Sequence, residues 1–374
     1  MRTLSPFFAA LACLAPLGAQ NVGLQLTNGV DSYIDVPYAP TLVPRSGITF
    51  EAWITYDETT LGPGYRWPTL VRQNSTPGLE TFMLRVDAGN VNNRNLLWMV
   101  RTTNGTRSVI WPFAPTQLAN WTHVAGTYDG TNVRLLVNGA EVMSTAATGA
   151  IVDAGNTLRL GNGDLSSPGI EQWNGQIDEV RLWPFARTAA EITSTMNYEL
   201  VAIPGEASNW NLNGNPLDGS GSNHGQLINA PNFAANTLNL QVSALNAANF
   251  GSATTGCNGL PRAVQSSLAR VNNAAFAVGA IRTTATGSGI LWLGTLALTT
   301  PINFLGVNFW IDPTAPNVQV SVPGGPLGYA RIPLPIPNNR FLANRQLVLQ
   351  TIWTQPGCAV PLFASDGLAF IIVP

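Results

Sequence analysis

The sequence Asn120-Trp-Thr-His-Val-Ala-Gly-Thr-Tyr-Asp-Gly-Thr-Asn-Val-Arg-Leu-Leu-Val-Asn-Gly139 predicts two tight turns between short strands. Residues 121–127 alternate between two faces, which is the period of a β-strand. Asp129-Gly130 and Asn138-Gly139 are dipeptides suited to the positive φ angles of hairpin turns. The stretch therefore predicts an antiparallel meander whose third strand covers residues 141–145.

Similar short apolar runs surround this meander, and Gly, Pro and Asn separate them. The sequence predicts strands at residues 22–26, 33–36, 50–54, 69–72, 81–87, 95–102, 106–113, 158–161 and 175–183, the last two closing the sheet. Thr188 followed by Glu191 is a capping box, which predicts one short helix to about Met196. The first part of the chain is therefore predicted to be an all-β sandwich.

The composition and charge of the chain argue against a nucleic-acid-binding protein. The 374 residues are 45% hydrophobic and only 10% charged, and all 18 basic residues are arginine. Residues 21–235 hold 18 acidic residues and 11 arginines, a net charge of −7, whereas residues 236–374 hold 2 and 6, a net charge of +4. Neither part carries a basic patch of the density that nucleic-acid binding requires.

The first 19 residues are typical of a secretory signal peptide. Arg2 precedes an apolar run from Leu4 to Leu17, and Gly18-Ala19 offers a cleavage site. No later segment has the roughly 18 to 20 unbroken apolar residues that a membrane-spanning helix requires. We therefore expect a secreted protein, extracellular or at the cell surface, without a transmembrane segment.

The meander closely resembles the laminin-G-like jelly-roll family of the concanavalin A-like lectin and glucanase superfamily, whose members carry a Trp-x-His-Val-Ala…Tyr-Asp-Gly…Val-Asn-Gly core. Gly47-Ile-Thr-Phe-Glu-Ala-Trp-Ile54 and Gly175-Gln-Ile-Asp-Glu-Val-Arg-Leu-Trp183 match in the same order. The resemblance implies a β-sandwich jelly roll over residues 20–235. Family members serve adhesion, glycan binding and hydrolysis, so the fold leaves the function open.

A second, smaller β-sandwich domain is predicted for residues 236–374, where acidic residues nearly vanish and apolar strands dominate. It resembles a C-terminal domain of secreted bacterial proteins, marked by Gly256-Cys257-x-Gly259 and Ser365-Asp-Gly-Leu-Ala-Phe370. Cys257 and Cys358 are the only cysteines after the predicted signal peptide. Export favours oxidation, so we expect a disulfide between them.

The resemblance also implies a structural Ca²⁺ ion held by Asp178, with Asp31 and Asn28 as further ligands. Ile177 and Val180 cannot both follow strict alternation with Asp178 facing solvent unless a β-bulge intervenes. The alternative is that Asp178 and Glu179 form ion pairs with Arg181 or Arg159 on a solvated strand.

Hydrolysis receives little support from the sequence. Laminarinase-type hydrolases on this fold carry a Glu-x-Asp-x-x-Glu-like strand, whereas the nearest acids here are Glu171, Asp178 and Glu179, and residue 176 is Gln. His123 lies within a strand and His224 in a turn, so both are expected to be structural rather than ligands or catalytic groups.

Flat aromatic side chains that could stack on sugar rings are the candidate ligand-binding residues. They are Tyr65 and Trp67 in a Gly-Pro loop, with Trp98, Trp111 and Trp173 as further candidates and core packing as the alternative for each. We therefore expect a non-enzymatic binding or adhesion module for a glycan or a surface protein. A self-associating envelope or matrix protein, and a glycoside hydrolase, remain the alternatives.

Overall fold

The structure is a computed structural model of the 374-residue chain. It describes residues 21–27, 30–57, 67–73, 78–87, 94–163, 171–201, 203, 207–243, 246–355, 357–358 and 360–374. Over these ranges the regular secondary structure is nearly all β-strand, as the sequence predicts, with one α-helix and four 3-10 turns. In this described part, no helix has the length and apolar character needed to cross a membrane.

The strands of the N-terminal part are β1 (Val22–Leu26), β2 (Tyr33–Val36), β3 (Ile48–Ile54), β4 (Thr69–Gln73), β5 (Phe82–Asp87), β6 (Arg94–Thr102), β7 (Gly105–Phe113), β8 (Thr122–Tyr128), β9 (Asn132–Val137), β10 (Ala140–Ala146), β11 (Leu158–Leu160), β12 (Gly175–Trp183), β13 (Tyr198–Leu200), β14 (Ser208–Trp210), β15 (Gln226–Ile228) and β16 (Asn232–Ala235). Helix α1 is Ala189–Thr195, and the 3-10 turns of the chain are Pro40–Leu42, Pro115–Gln117, Pro326–Gly328 and Arg340–Leu342.

The C-terminal part continues with β17 (Gln241–Ser243), β18 (Ala247–Phe250), β19 (Arg262–Gln265), β20 (Ala277–Ile281), β21 (Ser288–Gly294), β22 (Ala297–Phe304), β23 (Val307–Ile311), β24 (Asn317–Pro323), β25 (Ala330–Pro333), β26 (Gln346–Thr354), β27 (Leu362–Ala364) and β28 (Gly367–Ile371).

Two sheets face each other in the first sandwich. Eight strands form one sheet in the order β10-β9-β8-β3-β12-β1-β16, with β14 beside β12, and seven form the other in the order β15-β2-β11-β4-β5-β6-β7. One apolar core joins them, with Phe50 and Ile54 from the first sheet and Phe82 and Trp98 from the second. The predicted closing strand β12 lies instead in the middle of its sheet, because it pairs with β3 on one side and β1 on the other.

The predicted meander is strands β8, β9 and β10, paired in order. Gly130 has φ 90°, and Asn138 and Gly139 have φ 49° and 79°, as the two tight turns require. The predicted capping box also forms at α1, where the Thr188 hydroxyl accepts from the Glu191 amide and the Glu191 carboxylate accepts from the Thr188 amide.

The C-terminal sandwich packs a sheet ordered β18-β28-β26-β21-β24, with β27 beside β26, against the three strands β19-β20-β25; β22 and β23 form a separate hairpin. Phe276, Trp353 and Phe370 lie in its core. Cys257 and Cys358 are joined by the expected disulfide, with Cα atoms 5.9 Å apart. The first sandwich ends with β16 at Ala235, and β18 starts the second at Ala247.

The second sandwich packs on the outer face of the eight-stranded sheet. The Tyr329 ring stacks on Phe185 with centroids 4.7 Å apart, and Val264 and Ile281 join Trp183 in one buried cluster. Helix α1 covers more of the same face, since Ile192 packs on Ala125 and Leu136. The middle of this face is therefore covered, although a groove beside Arg134 and Glu141 stays open to solvent. Among the described residues, the contacts of the second sandwich lie on this side of the first, and the outer face of the seven-stranded sheet is the other broad face.

Candidate functional site

One row of side chains crosses all seven strands on the outer face of the seven-stranded sheet. The strand register places these residues side by side. Along the five middle strands, neighbours such as Ile34, Leu158, Val71, Phe82 and Val100 point into the core. In order across the sheet the row is Gln226, Asp35, Arg159, Arg72, Met83, Met99 and Ser108. Charged residues fill one half and thioethers the other.

The charged half is tied together by short contacts. Arg72 donates from Nη1 to Glu171 Oε2 at 2.8 Å and from Nη2 to Glu80 Oε1 at 2.9 Å. Arg159 Nε donates to Asp35 Oδ1 at 3.4 Å. We call these five residues the charged row; because each holds another in place, the functional groups of the row are preorganised.

The side chains of the charged row differ in their exposure to solvent. The Arg72 side chain is 2% exposed, those of Glu80 and Glu171 are about a tenth exposed, and Asp35 reaches 23%. Carboxylate groups therefore reach solvent above a guanidinium that is almost fully covered.

Two neighbouring groups shape the charged row. The Arg159 guanidinium lies 5.3 Å from the centre of the Tyr33 ring, and its Nη1 donates to the Gly163 carbonyl at 2.9 Å. A Cβ atom at Gly163 would lie 1.7 Å from Glu171 Oε2, so only glycine permits this placement of the carboxylate. Burial raises the pKa of Tyr33 despite the opposing Arg159 charge, which keeps its hydroxyl protonated at neutral pH.

The apolar half consists of Met83, Leu97 and Met99, which pack together on the outer face. Ile110, beside Leu97 on β7, is 41% exposed. Thioether and aliphatic side chains adapt to irregular apolar surfaces. The face thus offers a charged region next to an apolar one.

Of the two loop aromatics expected at the site, Trp67 lies within the described residues and Tyr65 outside them. Trp67 is half-buried. Its carbonyl accepts from the Thr69 hydroxyl, and the same hydroxyl lies 3.3 Å from Glu171 Oε2. The backbone of Trp67 is therefore connected directly to the charged row.

The three other expected aromatics belong to the core, which corrects their assignment to a ligand site. Trp98 and Trp173 are 0% exposed, and their indole N–H groups donate to the carbonyls of Thr127 and Thr55. Trp111 packs partly buried against the core and stacks on Phe113 at 5.9 Å. Strand alternation turns Trp98 and Trp111 toward the sandwich interior, and the fully buried Trp98 and Trp173 rings are unavailable to a sugar.

Two of the three expected calcium ligands, Asp178 and Asp31, lie within the described residues and make different side-chain contacts. Asp178 is 0% exposed and lies at a β-bulge, where Glu179 has φ 51°; the predicted bulge is present. Its carboxylate accepts from Asn236 Nδ2 and from the Glu179 amide, both at 2.9 Å. The Asp31 carboxylate accepts a hydrogen bond from Asn162 Nδ2 at 3.5 Å.

Burial raises the pKa of Asp178 to about 7 and that of Glu179 to about 8, although hydrogen bonds and Arg181 oppose the increase. Glu179 pairs with Arg181 at 2.9 Å, but both acids are buried rather than solvated. Within the described ranges, no three acidic, histidine or cysteine side chains gather as metal ligands. Asn28 lies outside those ranges, and calcium binding stays a prediction.

Arg72, Glu80 and Asp35 were not identified as site residues from the sequence. The sequence does contain one indication, because Arg72 is a charged residue at an outward position of a strand whose neighbouring residues face the core. The sequence did not show that β11 pairs with both β2 and β4. This pairing brings together residues 35, 72 and 159, which are distant in the chain.

Comparison with known proteins places the first sandwich in a family. Residues 28–193 match the laminin-G-like model described as the concanavalin A-like lectin/glucanases superfamily. Mouse pappalysin-1 is 33% identical over 89 residues, which are 22% of this chain and 5% of that protein.

Solved structures with similarity include a putative carbohydrate-binding protein of Bacteroides ovatus, with 19% identity, TM-score 0.42, and coverage of 60% of this chain and 62% of that one. A pentraxin of Limulus polyphemus is 16% identical with a TM-score of 0.37, and the match covers 48% of this chain and 83% of that one. The CBM40 domain of a Ruminococcus gnavus sialidase, bound to α2,3-sialyllactose, is 14% identical with a TM-score of 0.36. That match covers 46% of this chain and 94% of the domain.

The matched segment, together with the two facing sheets, defines a concanavalin A-like β-sandwich. In particular, residues 28–193 match a laminin-G-like domain, and further β-strands follow it.

Proposed function

We propose that the laminin-G-like domain binds carbohydrate without cleaving it, and that the charged row is its binding site. The observation that supports this proposal is the arrangement of the charged row. Asp35, Arg159 and Arg72 lie side by side on the outer face of the seven-stranded sheet. Glu80 and Glu171 each form an ion pair with Arg72.

The chemistry of this face suits a sugar. Hydroxyl groups both donate and accept hydrogen bonds, so a surface that presents carboxylate acceptors beside guanidinium donors can engage several of them at once. The half-buried Trp67 and the exposed Ile110, which borders the apolar half, supply contacts for the C–H faces of a pyranose ring. Because the charged groups are already fixed by one another, binding orders few additional side chains.

Binding without cleavage is favoured by how the two carboxylates are held. Arg72 donates to both Glu80 and Glu171. Glycoside hydrolysis requires one carboxyl group to protonate the leaving oxygen and a second to act as nucleophile or base. Two carboxylates that share one guanidinium are suited to accepting hydrogen bonds from substrate hydroxyls instead.

Secretion belongs to the same proposal. The Cys257–Cys358 disulfide supports an oxidising compartment, and the predicted signal peptide supplies the route. An extracellular glycan is the ligand class that such a protein meets.

A glycan array followed by calorimetric titration tests the proposal. Wild-type protein is expected to bind a defined set of glycans, and Trp67→Ala and Asp35→Asn are expected to weaken that binding by about tenfold or more. Asp153→Asn is the matched control, since the Asp153 side chain is 21% exposed and also pairs with an arginine, Arg45, but lies outside the charged row.

Three results would overturn the proposal. They are the absence of glycan binding by the wild type, unchanged affinity in the Trp67→Ala and Asp35→Asn variants, and equal loss in the control. Release of reducing sugar from a bound glycan would contradict the non-enzymatic part alone.

A further inference from the structure

Strand β24 is an edge strand without the usual protection against pairing. Among the described residues it is hydrogen-bonded as a strand to β21 alone, at the end of its sheet. Its sequence, Asn-Val-Gln-Val-Ser-Val-Pro, contains no charged residue. Natural edge strands are commonly guarded by charges, prolines, bulges or covering loops, because their free N–H and C=O groups otherwise pair with another chain. The one proline of β24, Pro323, is the last residue of the strand and leaves its centre able to pair.

The surfaces on both sides of this edge are apolar. Val318 and Val320 are 59% and 40% exposed on one face of the strand. On the other face, a groove of about 580 Å³ runs between β21 and the β22–β23 hairpin, with Ile290 on its floor and Phe304 on its wall. No charged side chain lines this groove.

The exposed apolar area approaches what an interface between proteins requires. Six side chains near the edge and the hairpin tip are each between 40% and 76% exposed: Ile290, Ile302, Phe304, Leu305, Val318 and Val320. With whole-residue areas on the order of 150–250 Å², they present roughly 600 Å² of surface. The strand backbone and the side chains of Gln319 and Ser321 bring this close to the ~800 Å² per partner of a standard interface.

We propose that two copies of the chain join through β24, which pairs antiparallel with β24 of the second copy about a two-fold axis. Such an axis, perpendicular to the sheet, keeps corresponding faces on the same side and makes one continuous sheet from two. The valines then meet across the axis on one face, and the two hairpin tips approach each other on the opposite face. A residue close to a two-fold axis lies near the same residue of the second chain. Because this surface carries no charge, such self-contacts bring no like-charge repulsion.

Sedimentation analysis of the purified protein over a range of concentrations tests this interface. Wild type is expected to show a reversible dimer of twice the monomer mass. Val320→Lys is expected to weaken dimerisation at least about tenfold, because the ammonium group must be desolvated at the two-fold axis, and Phe304→Ser to weaken it less. Phe341→Ser is the matched control, because Phe341 is 75% exposed and lies in a different part of the domain.

A second variant keeps the test valid if Val320→Lys fails to fold. Val320 is the central residue of β24, so Val320→Cys is expected to form an intermolecular disulfide under mild oxidation, which the parent protein under the same treatment lacks. A monomer at all concentrations, or a dimer that Val320→Lys leaves intact, would overturn the proposal, as would failure of the cysteine variant to cross-link. Capture of an extended apolar peptide by a monomeric protein would assign the edge to a different partner. This interface and the charged row lie in different domains, so either proposal can fail alone.

Discussion

Arg187 Nη1 lies 2.6 Å from Glu51 Oε1, and both side chains are completely buried between the eight-stranded sheet and the second sandwich. Trp183 Nε1 also donates to the same carboxylate at 2.7 Å. Arg187 Nε donates to the carbonyl of Ser266, which belongs to the second sandwich. One ion pair thus links a strand of the first domain to the backbone of the second.

Breaking this ion pair is expected to destabilise the protein strongly. Arg187→Met leaves the Glu51 carboxylate in the interface without its nearest cation, and loss of one partner of a buried pair typically costs about 3–5 kcal/mol. Denaturant unfolding followed by tryptophan fluorescence measures the change. Arg45→Met, which removes an exposed arginine 3.7 Å from Asp153, is expected to change the unfolding free energy by less than about 1 kcal/mol. Equal effects of the two substitutions would contradict the burial argument.

Stability is expected to depend on pH through His123. Burial, followed by the charges of Arg181 and Arg187, lowers the pKa of His123 from 6.5 to about 4, although Glu51 opposes this. The neutral imidazole is favoured by folding, so its contribution is complete above pH 6.5 and is lost as the pH falls toward 4. A pKa lowered by this amount corresponds to about 3 kcal/mol.

The measurement is the unfolding free energy of wild type and His123→Asn between pH 7.5 and 4, with the difference in slope as the readout. Asp178 and Glu179, whose pKa values are raised by burial, contribute the opposite slope, and they do so in both proteins. Identical pH profiles for wild type and His123→Asn would show that the imidazole does not carry the effect.

Removal of calcium tests the expected ion at Asp178. If the ion is bound, EDTA lowers the melting temperature, since a ligand that binds only the native state stabilises it by mass action. Asp178→Asn is then expected to melt at the same temperature with or without EDTA. An unmoved wild-type melting temperature together with a silent Asp178→Asn substitution would leave the hydrogen bonds to Asn236 and the Glu179 amide as the role of this carboxylate.

The disulfide is expected to stabilise the second sandwich. It closes a loop with a sequence separation of 101 residues, for which loop-closure entropy corresponds to about 4.7 kcal/mol. The double variant Cys257→Ser/Cys358→Ser is expected to lower the denaturation midpoint of this domain. Alkylation of both cysteines in the denatured, unreduced wild type would show that the bond is absent.

Local pattern was sufficient to predict much of the fold. Period-two alternation, the Asp129-Gly130 and Asn138-Gly139 turns and the Thr188–Glu191 capping box each depend on residues close together in the chain, and the structure has all of them. The disulfide followed from composition and compartment, since two cysteines allow one pairing.

The site was decided by contacts between distant residues. Whether Trp98 faces a ligand or the core depends on which side of its sheet the second layer packs, and the charged row exists because β11 pairs with both β2 and β4. A strand's alternation defines two faces but not which of them is covered. The sequence by itself determined the strands, turns and family of the first domain, whereas only the tertiary structure decided which face the second sandwich closes and which residues remain together on the other, because strand register and domain packing are set by long-range contacts.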